Sequence, residues 1–216
     1  MSRYKIMTKI KICGIKTLPA ALAAVRAGAD YLGFNFYPKS PRFVEKQTCA
    51  EINAVLKKEY PHIKLVGVFV NSSVEVMKDI LSTCSLDLAQ LHGDETAEML
   101  NALNGKAFKA FRGISTDFET DKRIRTDGVP AFLIDASVKG IYGGSGVVAD
   151  WDGAAELAKK YPLLLAGGLT PENVAEAVRR VKPWGVDVAS GVESTVGEKD
   201  AAKMVEFRKK VREVED

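Results

Sequence analysis

The chain has 216 residues, of which 46% are hydrophobic and 27% are charged, and its formal net charge is +3. This composition is typical of a soluble globular protein with a full hydrophobic core. The basic residues are dispersed, which excludes a nucleic-acid-binding arm, and no apolar run reaches the roughly 18 residues of a membrane-spanning helix. A small positive excess suits an anionic small molecule. We therefore expect a cytoplasmic protein whose partner is a small-molecule ligand, neither nucleic acid nor a membrane.

The chain has three cysteines and two histidines. An odd cysteine count without a C-x-x-C pair argues against a disulfide framework or a structural zinc site, and for a reducing compartment. Two histidines are too few for a His-rich metal centre, so we expect no metal. The N-terminus lacks the apolar stretch of a signal peptide. Residues 1–8 are interpreted as a candidate disordered overhang, with Met7 as an alternative start.

Eight apolar, β-branched runs recur about every two dozen residues along the chain, and stretches with helical periodicity separate them. The predicted strands are Lys9–Ile15, Asp30–Phe36, Lys64–Val70, Leu86–His92, Lys106–Ile114, Ala131–Ser137, Leu163–Gly168 and Gly185–Ser190. Ser73, Asp94 and Thr170 stand where helix N-caps belong, and Gly28 and Gly105 stand where helices end. Strands alternating with helices predict right-handed βαβ units and a parallel sheet.

Eight such units in just over 200 residues predict an α/β fold, a single (β/α)8 TIM barrel over residues 1–216. A doubly wound open sheet is the alternative. It normally has fewer strands and carries a glycine fingerprint after the first one, which Gly14 alone does not make.

A barrel places its chemistry at the carboxyl ends of the strands. Cys13 ends the first predicted strand and Asp135 the sixth, so we expect the thiol and the carboxylate side by side at one rim. A buried core cysteine and a carboxylate that accepts backbone N–H bonds are the alternative interpretations. The thiol is a useful base only where its pKa is lowered. Asp187, inside the last strand, is expected to point outward or to pair with a helix cation.

Glycine loops follow three consecutive predicted strands, and glycine allows backbone N–H groups to approach a phosphate. Turn glycines are the alternative at any single loop, but three neighbouring loops predict a phosphate site. Its candidate residues are Gly143, Gly144, Gly167, Gly168, Ser190 and Gly191.

Two further polar residues are candidate ligand contacts. Arg42 lies in a proline-stiffened loop, where a guanidinium can clamp a carboxylate or remain a solvated loop residue. His92 ends the fourth predicted strand and is an acid–base group, a ligand contact or a structural histidine.

Taken together, the motifs resemble those of the phosphoribosylanthranilate isomerase family of tryptophan biosynthesis. The matching segments run nearly from end to end: Lys11-Ile12-Cys13-Gly14, Gly33-Phe34-Asn35-Phe36 with Ser40-Pro41-Arg42, Val66 to Asn71, Gln90-Leu91-His92-Gly93, Asp135, Gly143-Gly144-Ser145-Gly146, Asp150-Trp151, Leu165 to Val174, and Val186 to Glu193. The resemblance implies that Cys13 is the general base, Asp135 the general acid and Arg42 the clamp on the anthranilate carboxylate. In one departure from the family, Val147 stands where a lysine is frequent, which removes a cation from the phosphate site.

The implied reaction is the Amadori rearrangement of N-(5-phosphoribosyl)anthranilate, an aldose-to-ketose isomerisation that needs no cofactor. Three alternatives stay open. One is a related phosphosugar isomerase such as aminoimidazole-carboxamide ribotide isomerase, although that family uses two aspartates. The others are a phospho-ligand-binding barrel without catalysis and a domain of a bifunctional tryptophan enzyme. Both a monomer and a homodimer are compatible with such a barrel.

Overall fold

Eight parallel strands close into a barrel in the order β1 to β8, as seen in a computed structural model that describes residues 7–114, 121–124, 130–136 and 151–215. The predicted barrel is confirmed and the open sheet was the wrong alternative. The strands are β1 Lys9–Cys13, β2 Tyr31–Asn35, β3 Lys64–Phe69, β4 Leu88–Leu91, β5 Ala107–Arg112, β6 Phe132–Asp135, β7 Leu163–Ala166 and β8 Gly185–Val188.

Seven helices lie in the described ranges. They are α1 Leu18–Arg26, α2 Lys46–Glu59, α3 Val74–Thr83, α4 Ala97–Asn101, α5 Trp151–Ala158, α6 Val174–Val181 and α7 Ala201–Arg212. Within the same ranges, no helix is long and apolar enough to cross a membrane.

The strands separate two hydrophobic cores because successive side chains point to opposite faces. In β6, Leu133 packs inside the barrel with Val66 and Phe108, whereas Phe132 and Ile134 pack in the larger core that includes the helices. Burial on both faces explains why the strands read as nearly continuous apolar runs. A polar residue on an inward position is therefore conspicuous in this barrel.

Local signals placed some helix ends correctly and others not. Ser73 caps α3 and accepts a hydrogen bond from the Val76 N–H, and Gly28 follows α1 with φ +90°, as predicted. Asp94 and Thr170 were wrong as N-caps. Thr96 caps α4, and α6 begins only after Asn173 because residues 171–173 form a turn.

Thr8, which precedes β1, meets the end of α7 and the segment after it at the bottom of the barrel, at the amino ends of the strands. Thr8 is buried, its N–H donates to Glu215, and its carbonyl accepts from Arg212 at 2.8 Å. The predicted overhang over residues 1–8 was therefore too long at its carboxyl end. Residues 1–6 lie outside the described ranges.

A small antiparallel hairpin, which the sequence did not predict, follows the barrel at its carboxyl rim. Its strands are β9 Glu193–Thr195 and β10 Glu198–Lys199. The turn residue Gly197 has φ +85°, and a Cβ there would lie 2.9 Å from the Pro41 carbonyl oxygen. The hairpin thus packs closely against the loop that carries Arg42.

Candidate active site

One cavity of about 340 Å³ opens at the carboxyl ends of the strands. Its lining consists of Cys13, Asn35, Arg42, Val68, Gln90, His92, Asp135, Ala166, Gly167, Gly168, Leu169, Asp187, Ala189 and Ser190. The structure thus brings together seven of the ten predicted site residues. Gly191 directly follows the lining, and Gly143 and Gly144 lie outside the described residues.

Cys13 and Asp135 line this cavity from different sides. Cys13 ends β1 and Asp135 ends β6, and β7 and β8 separate these strands on the shorter way round the barrel. The expectation that the two groups emerge side by side was therefore wrong. They face a common space, which suits two groups that act on different atoms of one bound molecule.

Cys13 is 8% exposed and lies in a polar part of the barrel interior. The pKa of its thiol lies above the ordinary value, because burial disfavours the thiolate and outweighs the nearby Lys11 ammonium, which lowers the pKa. The lowered pKa expected of a cysteine base is therefore not met here, although Lys11 limits the rise. Space for both groups comes from Gly33 on β2. A Cβ at Gly33 would lie 2.8 Å from Cys13 Sγ and 3.1 Å from Lys11 Nζ.

Asp187 points into the barrel, so its predicted outward orientation was wrong. It is 9% exposed and lines the cavity, and its Oδ1 accepts from Lys11 Nζ at 2.8 Å. The cation is on the neighbouring strand β1 rather than on a helix. The period-two pattern of β8 indicates this inward orientation of Asp187, because Val186 and Val188 on either side pack in the outer core.

His92 is held by Gln90, which the sequence analysis did not single out as a site residue. Gln90 Nε2 lies 3.0 Å from His92 Nδ1. With the amide nitrogen of Gln90 as the donor, Nδ1 accepts, and a neutral imidazole then carries its proton on Nε2. Burial lowers the pKa of His92, an effect that the charge of Asp135 opposes. A neutral His92 therefore presents an N–H donor in the same cavity.

A buried ion pair shapes the loop that follows His92. Lys109 Nζ lies 3.2 Å from Glu95 Oε2 and donates to the Gly93 carbonyl at 2.7 Å. Glu95 in turn accepts from the backbone N–H groups of Asn71 and Gly93, both at 2.8 Å. Burial lowers the pKa of Lys109, and the charge of Glu95 opposes this effect. This pair joins the loops after β3 and β4 to strand β5 behind His92.

Arg42 forms a bidentate ion pair with Glu193. Its Nε and Nη2 donate to the two carboxylate oxygens at 2.7 Å each. Lys199 adds a bond of 2.8 Å to the same carboxylate. Burial alone would raise the pKa of Glu193, but the hydrogen bonds from Arg42 and Lys199 outweigh it and lower the pKa to about 2. The guanidinium that borders the cavity is thus fixed rather than solvated.

The glycine loops after β7 and β8 have the backbone that close approach requires. Gly167 and Gly168 have φ of +99° and +64°, and a Cβ at Gly168 would meet nothing within 4 Å. A Cβ at Gly191 would lie 1.9 Å from the Leu169 carbonyl oxygen, so the two loops touch. Asn173 secures the first loop by donating to the Gly168 carbonyl at 2.9 Å. The segment around Val147, where the sequence departs from the family pattern, lies outside the described residues.

In the part of the chain that the structure describes, no group of three or more His, Cys, Asp or Glu side chains is arranged to hold a metal ion. The titratable and charged side chains that line the described cavity are those of Cys13, Arg42, His92, Asp135 and Asp187.

Comparisons with known proteins find similar chains in one family. Residues 10–210 match the family model "N-(5'phosphoribosyl)anthranilate (PRA) isomerase". N-(5'-phosphoribosyl)anthranilate isomerase of Geotalea uraniireducens is 46% identical over 95% of this chain and 99% of its own length. The crystal structure of the Thermotoga maritima isomerase superposes with a TM-score of 0.82 at 35% identity, covering 96% of this chain and all of the other.

A further solved isomerase is a complex with reduced 1-(o-carboxyphenylamino)-1-deoxyribulose 5-phosphate. It has a TM-score of 0.79 at 33% identity and covers 96% of this chain and all of its own. The chain belongs to the N-(5'-phosphoribosyl)anthranilate isomerase family.

Proposed function

We propose that this chain isomerises N-(5'-phosphoribosyl)anthranilate with Cys13 as general base and Asp135 as general acid. Membership of the family makes the chain an isomerase of tryptophan biosynthesis. The observation that supports the residue roles is one cavity lined by a thiol, a carboxylate, the guanidinium of Arg42 and the backbone of Gly167 and Gly168.

The reaction is an internal redox shift in which one protonation and one deprotonation lead to an enolamine, whose tautomerisation then adds a proton at C1 and removes the proton of the C2 hydroxyl. Asp135 protonates the furanose ring oxygen, and the C1–O bond breaks as the nitrogen lone pair forms a Schiff base. The Cys13 thiolate then removes the C2 proton, and the electron pair moves onto the nitrogen to give an enolamine. The enolamine tautomerises to the 1-deoxyribulose product, in which C1 is reduced and C2 is oxidised. Atoms and electrons balance without an external oxidant.

The substrate is anionic at both ends, and the cavity offers a matching group at each. The glycine loops after β7 and β8 bind the phosphate through backbone N–H groups, and Arg42 binds the anthranilate carboxylate. Two of the guanidinium nitrogens are bonded to Glu193, so the remaining N–H groups of Arg42 bind the anthranilate carboxylate of the substrate. Fixing both ends aligns C2 and the ring oxygen with the two proton-transfer groups. His92, with its proton on Nε2, lies beside Asp135 as a neutral donor to the sugar.

A fluorescence assay tests this proposal. The purified chain is mixed with N-(5'-phosphoribosyl)anthranilate, and the loss of substrate fluorescence is followed for the wild type, Cys13→Ala and Asp135→Asn. We expect rapid turnover by the wild type alone. A wild type that binds the substrate without converting it would instead favour a non-catalytic binding barrel, and near-normal turnover by either variant would remove that residue from its role.

A further inference from the structure

Lys11 and Asp187 form a charged pair inside the barrel that the proposed proton transfers do not use. Both lie one layer below Cys13, with Lys11 fully buried. The two residues are directly paired across the β1–β8 register, although 176 positions separate them in the chain. The inner core of the same barrel also contains apolar side chains such as Val66 and Leu164.

Stability does not explain this pair. Removing a lysine and a carboxylate from water costs several kcal/mol per ion, and a hydrophobic pair of similar volume is commonly as stable or more so. Other inward positions of this barrel are hydrophobic, such as Val66, Phe108 and Leu133, so the barrel interior accepts apolar side chains. A role in the site directly above is the more economical reason for a lysine at this depth.

The alternation of β1 brings the lysine to the thiol. Ile10 and Ile12 pack in the outer core, so Lys11 and Cys13 occupy the same inner face two residues apart. Gly33 leaves the space into which Cys13 Sγ and Lys11 Nζ both reach. The ammonium is thus held between the thiol above and the carboxylate of Asp187 beside it.

Other charges also face Cys13, but they are bound elsewhere. Arg42 and Lys199 lie near the thiol, and both are bonded to Glu193 at 2.7 to 2.8 Å. Lys11 exerts the strongest lowering influence on the thiol pKa, and Asp187 acts in the opposite direction. Burial would lower the pKa of Lys11 itself, but Asp187 and Cys13 outweigh it, so the lysine stays charged.

We propose that Lys11 is a positioning residue that stabilises the Cys13 thiolate, and that Asp187 anchors this ammonium while limiting how far the thiolate is favoured. The inference rests on the proposed role of Cys13 as the base. It assigns opposite effects to the two members of one ion pair. A purely structural pair would act on folding alone, with no opposite effects on the thiol.

The test measures the protonation of Cys13 directly. The rate of Cys13 alkylation by iodoacetamide is followed from about pH 6 to 10.5 by peptide mass spectrometry, in the substrate-free protein. We expect Lys11→Met to move the midpoint upward by about one pH unit or more, because an adjacent opposite charge is lost. Asp187→Asn should move it downward. The acid limb of kcat/KM should follow the midpoint in each variant that retains activity.

Lys9→Met is the matched control. Lys9 pairs with Asp30 at 2.8 Å on the same strand, two residues before Lys11 and away from the cavity. This variant should leave the midpoint unchanged. An unchanged midpoint in Lys11→Met, or a shift in the same direction in both test variants, overturns the proposal.

Two checks keep the outcomes separate. Circular dichroism establishes which variants fold, and if Lys11→Met does not, the predicted downward shift of Asp187→Asn carries the test. Turnover by Cys13→Ala separates this inference from the one it rests on. An active Cys13→Ala protein overturns the role of Cys13 itself. If Cys13→Ala is inactive but the alkylation midpoint is unchanged in Lys11→Met and Asp187→Asn, only the role of Lys11 and Asp187 is overturned.

Discussion

Arg42 and Glu193 form a bidentate ion pair between the loop after β2 and the first residue of the hairpin after β8. The pair joins segments that lie 151 residues apart and holds the guanidinium at the edge of the cavity. A planar guanidinium that is bound on one side to a carboxylate presents its remaining N–H groups in a fixed direction. The proposed carboxylate clamp is thereby preorganised.

Arg42→Ala should weaken substrate binding with little effect on kcat. Loss of a charge-assisted hydrogen bond costs about 1.5–3 kcal/mol, which corresponds to a roughly ten- to hundredfold rise in KM. Steady-state kinetics measure the two constants separately. Arg180→Ala is the control, since Arg180 makes a similar bidentate pair with Asp152 on the surface. A KM equal to that of the wild type excludes Arg42 from the site.

Glu193→Gln should lower stability at neutral pH and lose this effect in acid. The folded pKa of Glu193 is about 2, below its ordinary value of 4.5. A carboxyl with a depressed folded pKa stabilises the fold above pH 4.5, and this contribution disappears as the pH falls toward 2. Urea unfolding of wild type and variant at several pH values measures the difference. If the difference in unfolding free energy between wild type and variant stays constant between pH 6 and pH 2.5, Glu193 does not have the depressed folded pKa.

Cys13→Ala and Asp135→Asn should each lower kcat by ~10²–10⁴-fold, the usual contribution of one acid or base in a transition state. KM should change little, because neither residue is proposed to hold the anionic ends of the substrate. Stopped-flow fluorescence quantifies the residual rate. A variant whose main defect is a raised KM has lost a binding residue instead.

Gly191→Ala should disturb the proposed phosphate site. Its Cβ would lie 1.9 Å from the Leu169 carbonyl oxygen, so the loops after β7 and β8 must separate. We expect a lower melting temperature and a KM that rises for the phosphorylated substrate. Gly113→Asn is the matched control. Gly113 also has a constrained backbone, with φ +78°, but a Cβ there meets nothing within 4 Å. That variant should cost about 1 kcal/mol of stability and leave KM unchanged.

His92 should titrate below its ordinary value of 6.5, because burial disfavours the imidazolium. Long-range ¹H–¹⁵N NMR spectra of the imidazole report both the pKa and the tautomer, and we expect the proton on Nε2. A depressed histidine pKa stabilises the fold above pH 6.5, and that contribution is lost as the pH falls through the folded pKa. Gln90→Leu should remove the preference for one tautomer. An Nδ1-protonated His92 in the wild type contradicts the proposed donor role.

The alternation of strand and helix was readable in the sequence because burial on both faces leaves eight apolar runs. The ends of those runs identified Cys13, Asp135 and the glycine loops. The period-two pattern of Ile10-Lys11-Ile12-Cys13 also contained the inward position of Lys11, since it shares a face with Cys13. Asn35 and Gln90 carried the same signal, as inward polar residues near strand ends. Glu193 had no such signal in the sequence, because the hairpin that begins with it has no strong strand pattern.

The sequence by itself therefore determined the barrel and the strand that carries each proposed proton-transfer group, since hydrophobic period and strand ends are local properties. Only the tertiary structure decided which charges meet. Lys11 pairs with Asp187 through the closure of β1 on β8, and Arg42 pairs with Glu193 through the packing of the hairpin on the rim. The same closure places Cys13 opposite Asp135 rather than beside it. Such contacts depend on register between segments more than a hundred residues apart, which no local pattern encodes.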